Sequence, residues 1–578
     1  MFRLLLKYTK DGWWAAILGP LFTIAEVIFD ALIPLVMSDI IDIGIYDMGG
    51  NLDYIIKKGV LMVVLAAVAA VMGSLSGLFS SISSTRFVLH LRNALFEKIQ
   101  TFDFKNIEKF PVSTIVMRLT NDMRMMRMAY VSIVRLLIRA PFNLAISAYF
   151  VFQLNNKIAG IFVLVIPILG GGLIYLYAKA HPRFRAMMLT FDGLNENLEQ
   201  NIDGIRVVKT FVREDYENEK FEKTAGNVTK AMRHAERIVI LDKPFFETVM
   251  YTCMIVVAWI GGQDIIAGTM QTGDFMALLA YVRTIMFSLL MISSVFMQVV
   301  MAQASIDRAN EVLNEEVHIT DDNADESLNV ENGEIEFKNV SFKYDEDGDR
   351  NVLSNINLKI ESGEVVGILG PTGSSKSTLV QLIARLYDVT EGEVYVAGHN
   401  VKDYKLRTLR DAVSMVLQKN TLFSGSIENN MKWGNPEATH EEVVEACKYA
   451  QADDFIQLLP GKYDYDLGQG GTNVSGGQKQ RLCIARALMK HPKIIILDDS
   501  TSAVDTDTDH RIQLALKEKL GGMTTIIIAQ RVSSVKEANR IIIMNEGVIE
   551  DIGNHDELLL RNEVYRDLYQ TQMEGAME

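Results

Sequence analysis

Six long apolar stretches, at residues 13–37, 59–84, 130–154, 158–178, 244–266 and 275–301, fill the first half of the chain. Each is long enough to cross a hydrocarbon core of about 30 Å as a helix. After the second and fourth stretches the pattern changes. Apolar residues recur three or four apart, as at Phe87, Leu91 and Leu95 or Leu194, Leu198, Ile202 and Ile205, with charges filling the other positions. That period predicts helices that continue beyond the membrane into water. Short turns near 102–112 and 210–216 separate them, in positions suited to docking on a soluble domain.

Past residue 315 the pattern changes again. An acidic, polar run with Asp321, Asp322, Asp325, Glu326 and Glu331 reads as a linker over 316–333. Short apolar strands at 335–337, 365–369, 494–497, 525–528 and 540–543 then alternate with helical patterns, which predicts an α/β domain over 334–578. The expected architecture is an α-helical membrane domain over 1–315, with six transmembrane helices and long cytoplasmic extensions, followed by that α/β domain.

Charge orients the first half. The connection after the second stretch carries Arg86, Arg92, Lys98, Lys105, Lys109, Arg118, Arg124 and Arg127, and the one after the fourth carries twelve bases between Lys179 and Lys243. The opposite connections hold Asp39, Asp42, Asp47 and Asp53, a few residues around Asn155, and the nearly uncharged 261–274. Basic loops stay in the cytoplasm, so both termini are expected there, in a multi-pass protein of the cell membrane. The start of the chain lacks a small-residue cleavage site and is not expected to be a removed leader.

The 578 residues exceed what one core holds, and 49% hydrophobic content agrees with a membrane part joined to a soluble part. A net charge of −15 argues against a nucleic-acid partner. Cys253, Cys447 and Cys483 are too scattered for a disulfide framework or a zinc site.

Several ionisable residues fall inside the apolar stretches, where an unpaired charge costs on the order of 3 kcal/mol. Glu26 and Asp30 share a helix face, and Glu247 and Arg283 lie in the last two stretches. Glu26 and Asp30 either line a cavity that favours cationic or polar cargo, or pair with a base elsewhere. The methionines at 276, 286, 291, 297 and 301 suit either an adaptable binding surface or ordinary packing.

The chemistry centres on the run from Glu364 to Val380, a buried strand, a glycine-bearing loop and the first turn of a helix. Gly370, Pro371, Thr372, Gly373, Ser374, Ser375, Lys376, Ser377 and Thr378 form a phosphate cradle. Backbone N–H groups face a polyphosphate, Lys376 reaches the terminal phosphates, and the Ser377 hydroxyl can ligate Mg²⁺. The strict pattern has glycine immediately before the lysine, whereas Ser375 stands here; its Cβ crowds the phosphate or demands an unfavourable backbone angle.

The motifs that follow, taken in order, resemble the ATPase domain of ABC transporters, and the resemblance covers the whole chain. Tyr344 matches the aromatic that stacks on adenine, and Gln418 the glutamine that senses Mg²⁺. Val474, Ser475, Gly476, Gly477 and Gln478 match the signature that grips ATP held by the opposite ATPase domain. Asp498, ending an apolar strand, matches the carboxylate that positions Mg²⁺ beside Ser377 and Gln418. Ser502, Ala503, Val504 and Asp505 match the loop that crosses the dimer interface. ATP and Mg²⁺ are the implied cofactors. Helical extensions ahead of a single such domain resemble half-transporters of the multidrug-exporter type, whose second turn docks on the partner subunit.

Three departures bear on the mechanism. The family's catalytic glutamate is replaced by Asp499, whose carboxylate falls about 1.5 Å short; a misplacement of about 1 Å can cost on the order of 10²-fold in rate. Its switch histidine is replaced by Gln530, which cannot carry positive charge. Ser375 is the third, while Gln469 departs outside the site, where a Glu-Arg pair is common. An impaired site beside an intact signature implies one half of a heterodimeric bacterial exporter of amphiphilic small molecules across the bilayer. The alternatives are a slow homodimer, or an ATP-gated regulatory or channel subunit.

Overall fold

A computed structural model describes residues 7–345, 350–499, 504–519 and 521–574. The chain divides into two compact units, one of Met1–Gln100 with Val112–Glu315, the other of Thr101–Pro111 with Glu316–Glu578.

The first unit is helical. Among the described residues six helices long and apolar enough to cross a membrane run over Trp13–Asp47, Leu52–Gln100, Val112–Leu154, Asn156–Asp203, Glu214–Ile266 and Thr272–Leu313. Each extends past its apolar stretch, and for the connections after the second and fourth the helical period of the flanking residues predicts it. Their inward faces pack Val151, Ile158, Phe162, Leu169, Val257, Leu278 and Tyr281 into a common core. Val63, Val163, Ile174, Ile255 and Trp259 stand exposed on the outside, where lipid would cover them. Met286 is fully buried in that core and is a packing residue.

The aspartates expected in a loop after the first stretch are helical instead. The first helix widens to π-winding over Ile40–Asp47. Its buried Asp42 accepts from the backbone N–H of Gly273 at 2.6 Å and of Asp274 at 3.1 Å. Asp42 thus caps the sixth helix, satisfying donors that the helix itself leaves unpaired.

Glu26 and Asp30 converge on one base. Arg139 Nη2 lies 3.0 Å from Glu26 Oε1 and 3.6 Å from Asp30 Oδ2. Of the two readings of these carboxylates, pairing with a base elsewhere is the one seen: Arg139 lies against the buried Glu26 and the more exposed Asp30, as a buried carboxylate in a helix bundle requires. Glu247 pairs with Lys243 at 3.8 Å, and the Arg283 guanidinium sits over the Phe287 ring. In the extensions, buried Asp122 accepts from Ser305 Oγ at 2.8 Å and Arg308 Nε at 2.8 Å, and Arg118 pairs with Glu311 at 2.8 Å.

The second unit takes in residues 101–111, read from sequence with the helical half. Asp103 caps the short helix Phe104–Lys109 through a reciprocal box with Asn106. Asp103 Oδ2 also accepts from the His318 N–H at 3.1 Å, and Asn106 Nδ2 donates to the Glu316 carbonyl at 2.9 Å. The expected linker 316–333 is likewise packed into this unit. Ile319 and Val330 are buried, and Asp321 Oδ1 accepts from the Leu406 N–H at 2.7 Å. Its acidity reflects local capping and pairing, not a solvated tether.

Among the described residues twelve strands follow: β1 Ile335–Phe342, β2 Leu353–Ile360, β3 Val365–Leu369, β4 Glu391–Val396, β5 His399–Asn400, β6 Val413–Val416, β7 Gly425–Ser426, β8 Asp466–Leu467, β9 Ile494–Asp498, β10 Thr524–Ile528, β11 Arg540–Asn545 and β12 Val548–Gly553. They form a six-stranded sheet in the order β12-β11-β3-β10-β9-β6, a four-stranded sheet β2-β1-β4-β5 and the pair β7-β8. β3 runs parallel to both β10 and β11, and β9 parallel to β10 and β6. β9 and β10 are buried along their whole length, as continuous apolar strands covered on both faces must be.

Candidate active site

Four loops leave the same edge of the six-stranded sheet, because β3, β6, β9 and β10 are parallel and end together. This is where an open α/β sheet gathers ligand-binding residues. The loop after β3 carries Gly370 to Ser375; Gln418 follows β6, Asp498 and Asp499 end β9, and Gln530 follows β10.

The first loop is shaped by backbone that ordinary residues avoid. Gly370 has φ +155°, and a Cβ there would lie 2.1 Å from the Met544 carbonyl oxygen. Gly373 has φ +88°. Ser375 is left-handed too, at φ 69° and ψ 23°. The angle alternative foreseen for this residue is the one realised, at a cost of about 1–2 kcal/mol. The helix Lys376–Ile383 begins directly after it and aims its N-terminus across the loop, a natural seat for an anion.

Lys376 Nζ donates to the carbonyls of Gly370 at 2.8 Å and Pro371 at 2.9 Å. Burial pulls the ammonium below its ordinary range, opposed by the Asp498 and Asp499 carboxylates. Ser377 Oγ donates to Asp498 Oδ1 at 3.0 Å. Burial holds the Asp498 carboxyl above the usual range, the Ser377 hydrogen bond acting against it. A hydroxyl beside a carboxylate offers hard oxygen donors suited to Mg²⁺, with the other coordination positions left to water and phosphate.

Asp499 also sits in left-handed backbone, at φ 48°. Its side chain is held by two amides. Gln530 Nε2 donates to Asp499 Oδ2 at 3.0 Å, and Gln418 bonds the same carboxylate. Burial raises the Asp499 carboxyl, and both hydrogen bonds lower it. The sequence places Asp499 and Gln530 in one site but gives no sign that they bond each other.

Tyr344 is half-exposed, edge-on to Phe342 at 4.9 Å and to Tyr387 at 5.2 Å. Its hydroxyl shares a hydrogen bond of 3.0 Å with Thr378 Oγ1, tying the expected adenine platform to the phosphate-loop helix. The sequence alone does not mark Tyr387. A second aromatic 43 residues after the first carries no local pattern that would mark it.

The signature lies elsewhere on the surface. Ser475 is the N-cap of the helix Gly476–Leu488; its Oγ accepts from the Gln478 N–H, and Gln478 Oε1 accepts from the Ser475 N–H at 2.9 Å. Gln478 thus serves as the return arm of a capping box. Ser475 and Gly476 are exposed, with Val474 and Gly477 beside them partly covered. Gln469 opens a short turn just ahead of the signature, in which Gly470 is left-handed. Of the expected interface loop, Ser502 and Ala503 lie outside the described residues. Val504 is buried, and Asp505 Oδ1 accepts from the Thr508 N–H at 2.9 Å.

The family described as the ABC transporter transmembrane region matches residues 16–289, and the ABC transporter family matches 353–502. The chain is 34% identical over 565 residues to the uncharacterized ABC transporter ATP-binding protein YknU of Bacillus subtilis (strain 168), covering 98% of this chain and 95% of that one. It is 33% identical over 568 residues to YfiB of the same organism, another uncharacterized ABC transporter ATP-binding protein, with 98% of both chains covered. It is also 33% identical over 491 residues to the ATP-dependent lipid A-core flippase of Syntrophus aciditrophicus, covering 84% of this chain and 80% of the flippase.

Proposed function

Since the chain belongs to the ABC transporter family, as an exporter half-transporter that couples ATP turnover to transport and works as a dimer in a membrane, we propose that it is the catalytically weak half of a heterodimer. Its own nucleotide site holds ATP with Mg²⁺ on Ser377, Gln418 and Asp498 and turns it over slowly, while its signature completes the partner's site. Residues 1–315 form the transmembrane domain and 334–578 the nucleotide-binding domain, both termini lying in the cytoplasm. The cargo is an amphiphilic small molecule, drug-like or lipid-like, a class that a relative acting on lipid A-core makes natural.

The observation that carries this reading is the 3.0 Å contact from Gln530 to Asp499. Hydrolysis needs an oriented water, a base beside it and charge stabilisation at the transferring phosphoryl group. Here the base position is a shortened carboxylate already accepting from two neutral amides. No positive charge comes from the switch position, where Gln530 is neutral. Bound nucleotide would supply the phosphoryl chemistry; Lys376 and the loop amides bind it, and Asp499 serves poorly as base. The signature, by contrast, stands capped, with Ser475 and Gly476 exposed and open to a ligand on another subunit.

The test is ATP turnover by the purified complex in lipid nanodiscs. Asp499→Asn keeps most of the activity, whereas neutralising the corresponding carboxylate of the partner lowers it by about 10²–10⁴-fold, the usual worth of a general base. Vigorous turnover by this chain with no second gene product overturns the heterodimer.

A further inference from the structure

The helices Asn156–Asp203, Glu214–Ile266 and Thr272–Leu313 leave a cavity of about 310 Å³ between them, within the range of small-molecule sites. Leu173, Leu176 and Leu290 wall it, and Tyr177 and Asp242 add an aromatic ring and a carboxylate. The Ser294 hydroxyl on its rim is spent on the Met291 carbonyl at 2.9 Å, so that side offers little polarity.

Asp242 is half-buried and makes no hydrogen bond or ion pair with any described residue. It stands in the first turn of Asp242–Ile266, where a carboxylate often caps backbone N–H groups, yet it makes no capping bond. Of the bases nearby in sequence, Lys243 lies 3.8 Å from Glu247, Lys179 sits over the Tyr175 ring, and His181 lies against the Tyr177 ring at 5.9 Å. It differs in this from Glu26 and Asp30, which share Arg139. The Tyr177 ring meets Phe296 edge to face at 5.3 Å. A carboxylate without an ion-pair partner and an aromatic ring, lining one largely apolar cavity, attract a cation by charge and by the ring quadrupole together.

We propose that this cavity binds a lipophilic monocation, its charged centre held between the Asp242 carboxylate and the Tyr177 ring and its hydrocarbon against Leu173, Leu176 and Leu290. An anion of the same shape is repelled, and a neutral molecule leaves the carboxylate uncompensated. The proposal rests on the export reading for the fate of the ligand, and on the cavity alone for its binding.

The test uses the purified complex in a non-ionic maltoside detergent without nucleotide. The probes are radiolabelled methyltriphenylphosphonium and its neutral counterpart of similar shape, triphenylphosphine oxide. The phosphonium binds saturably and more tightly than the oxide. Asp242→Asn weakens phosphonium binding at least tenfold, Asp242→Glu retains most of it, and Tyr177→Leu weakens it severalfold; the oxide binds all four proteins alike. Equal affinity for the two probes, or phosphonium binding unchanged in Asp242→Asn with ATP binding intact, overturns the site. Should Asp242→Asn lose ATP binding through misfolding, Tyr177→Leu decides, and unchanged phosphonium affinity there overturns the proposal. Proteoliposomes separate the two claims. Phosphonium binding that depends on Asp242, without ATP-driven movement of any amphiphile, sinks the export reading and leaves the site standing.

Discussion

The Tyr387 hydroxyl donates to Glu108 Oε1 across 2.7 Å, while the Tyr387 ring stands edge-on to Tyr344 at 5.2 Å. One aromatic thereby touches both the short helix Phe104–Lys109 and the expected adenine platform. Burial and the Glu108 carboxylate raise the Tyr387 phenol, so it remains a donor at neutral pH. Tyr387→Phe keeps the ring and removes the hydrogen bond, worth about 1.5–3 kcal/mol for a charged acceptor. ATP turnover then persists while cargo moved per ATP falls, measured in proteoliposomes on the same preparation. An unchanged ratio would show that this contact plays no part in coupling.

Ser375→Gly replaces a left-handed serine by the residue that adopts φ 69° without penalty. The expected gain is about 1 kcal/mol in stability, with tighter nucleotide binding at this site. Thermal unfolding with and without ATP reads both. A variant that melts earlier than the parent would mean that the serine side chain contributes something the backbone angle does not reveal.

Asp499→Glu with Gln530→His restores the length of the base and a chargeable switch. With the partner's site disabled, ATP turnover at this site rises by at least 10-fold, and more than with either change alone, because the two side chains now bond each other. No rise with both in place would put the defect elsewhere, Ser375 being the next candidate.

Neutralising Glu26 and Asp30 together leaves Arg139 without its partners. Breaking a largely buried pair costs on the order of 3 kcal/mol, so Glu26→Gln with Asp30→Asn shortens the lifetime of the complex in detergent. Cargo preference stays as it was. A changed preference in a transport assay would return these carboxylates to the cargo path.

What the sequence discloses and what it hides divide by distance along the chain. The phosphate loop, the signature and the apolar strands are local patterns, and they appear where the residues put them. The six spans follow from hydropathy alone. Arg139 is 113 residues from Glu26, and nothing near Glu26 names it; only the packing of the first and third long helices brings them together. Residues 101–111 read as a turn of the helical half because their neighbours in sequence do. Their bonds to Glu316 and His318, more than 200 residues on, assign them to the other unit. Gln530 and Asp499 meet because β9 and β10 are paired in register, a fact of topology that no motif spells out.

Asp42 has a mechanical meaning beyond satisfying two donors. By seizing the start of the helix Thr272–Leu313, it rivets the first and last long helices of the bundle at one end. Parting them there would strip a carboxylate of two charge-assisted bonds at once. Any rocking of the bundle is therefore cheaper if this pair swings as a single leaf, with the seams that open lying between other helices.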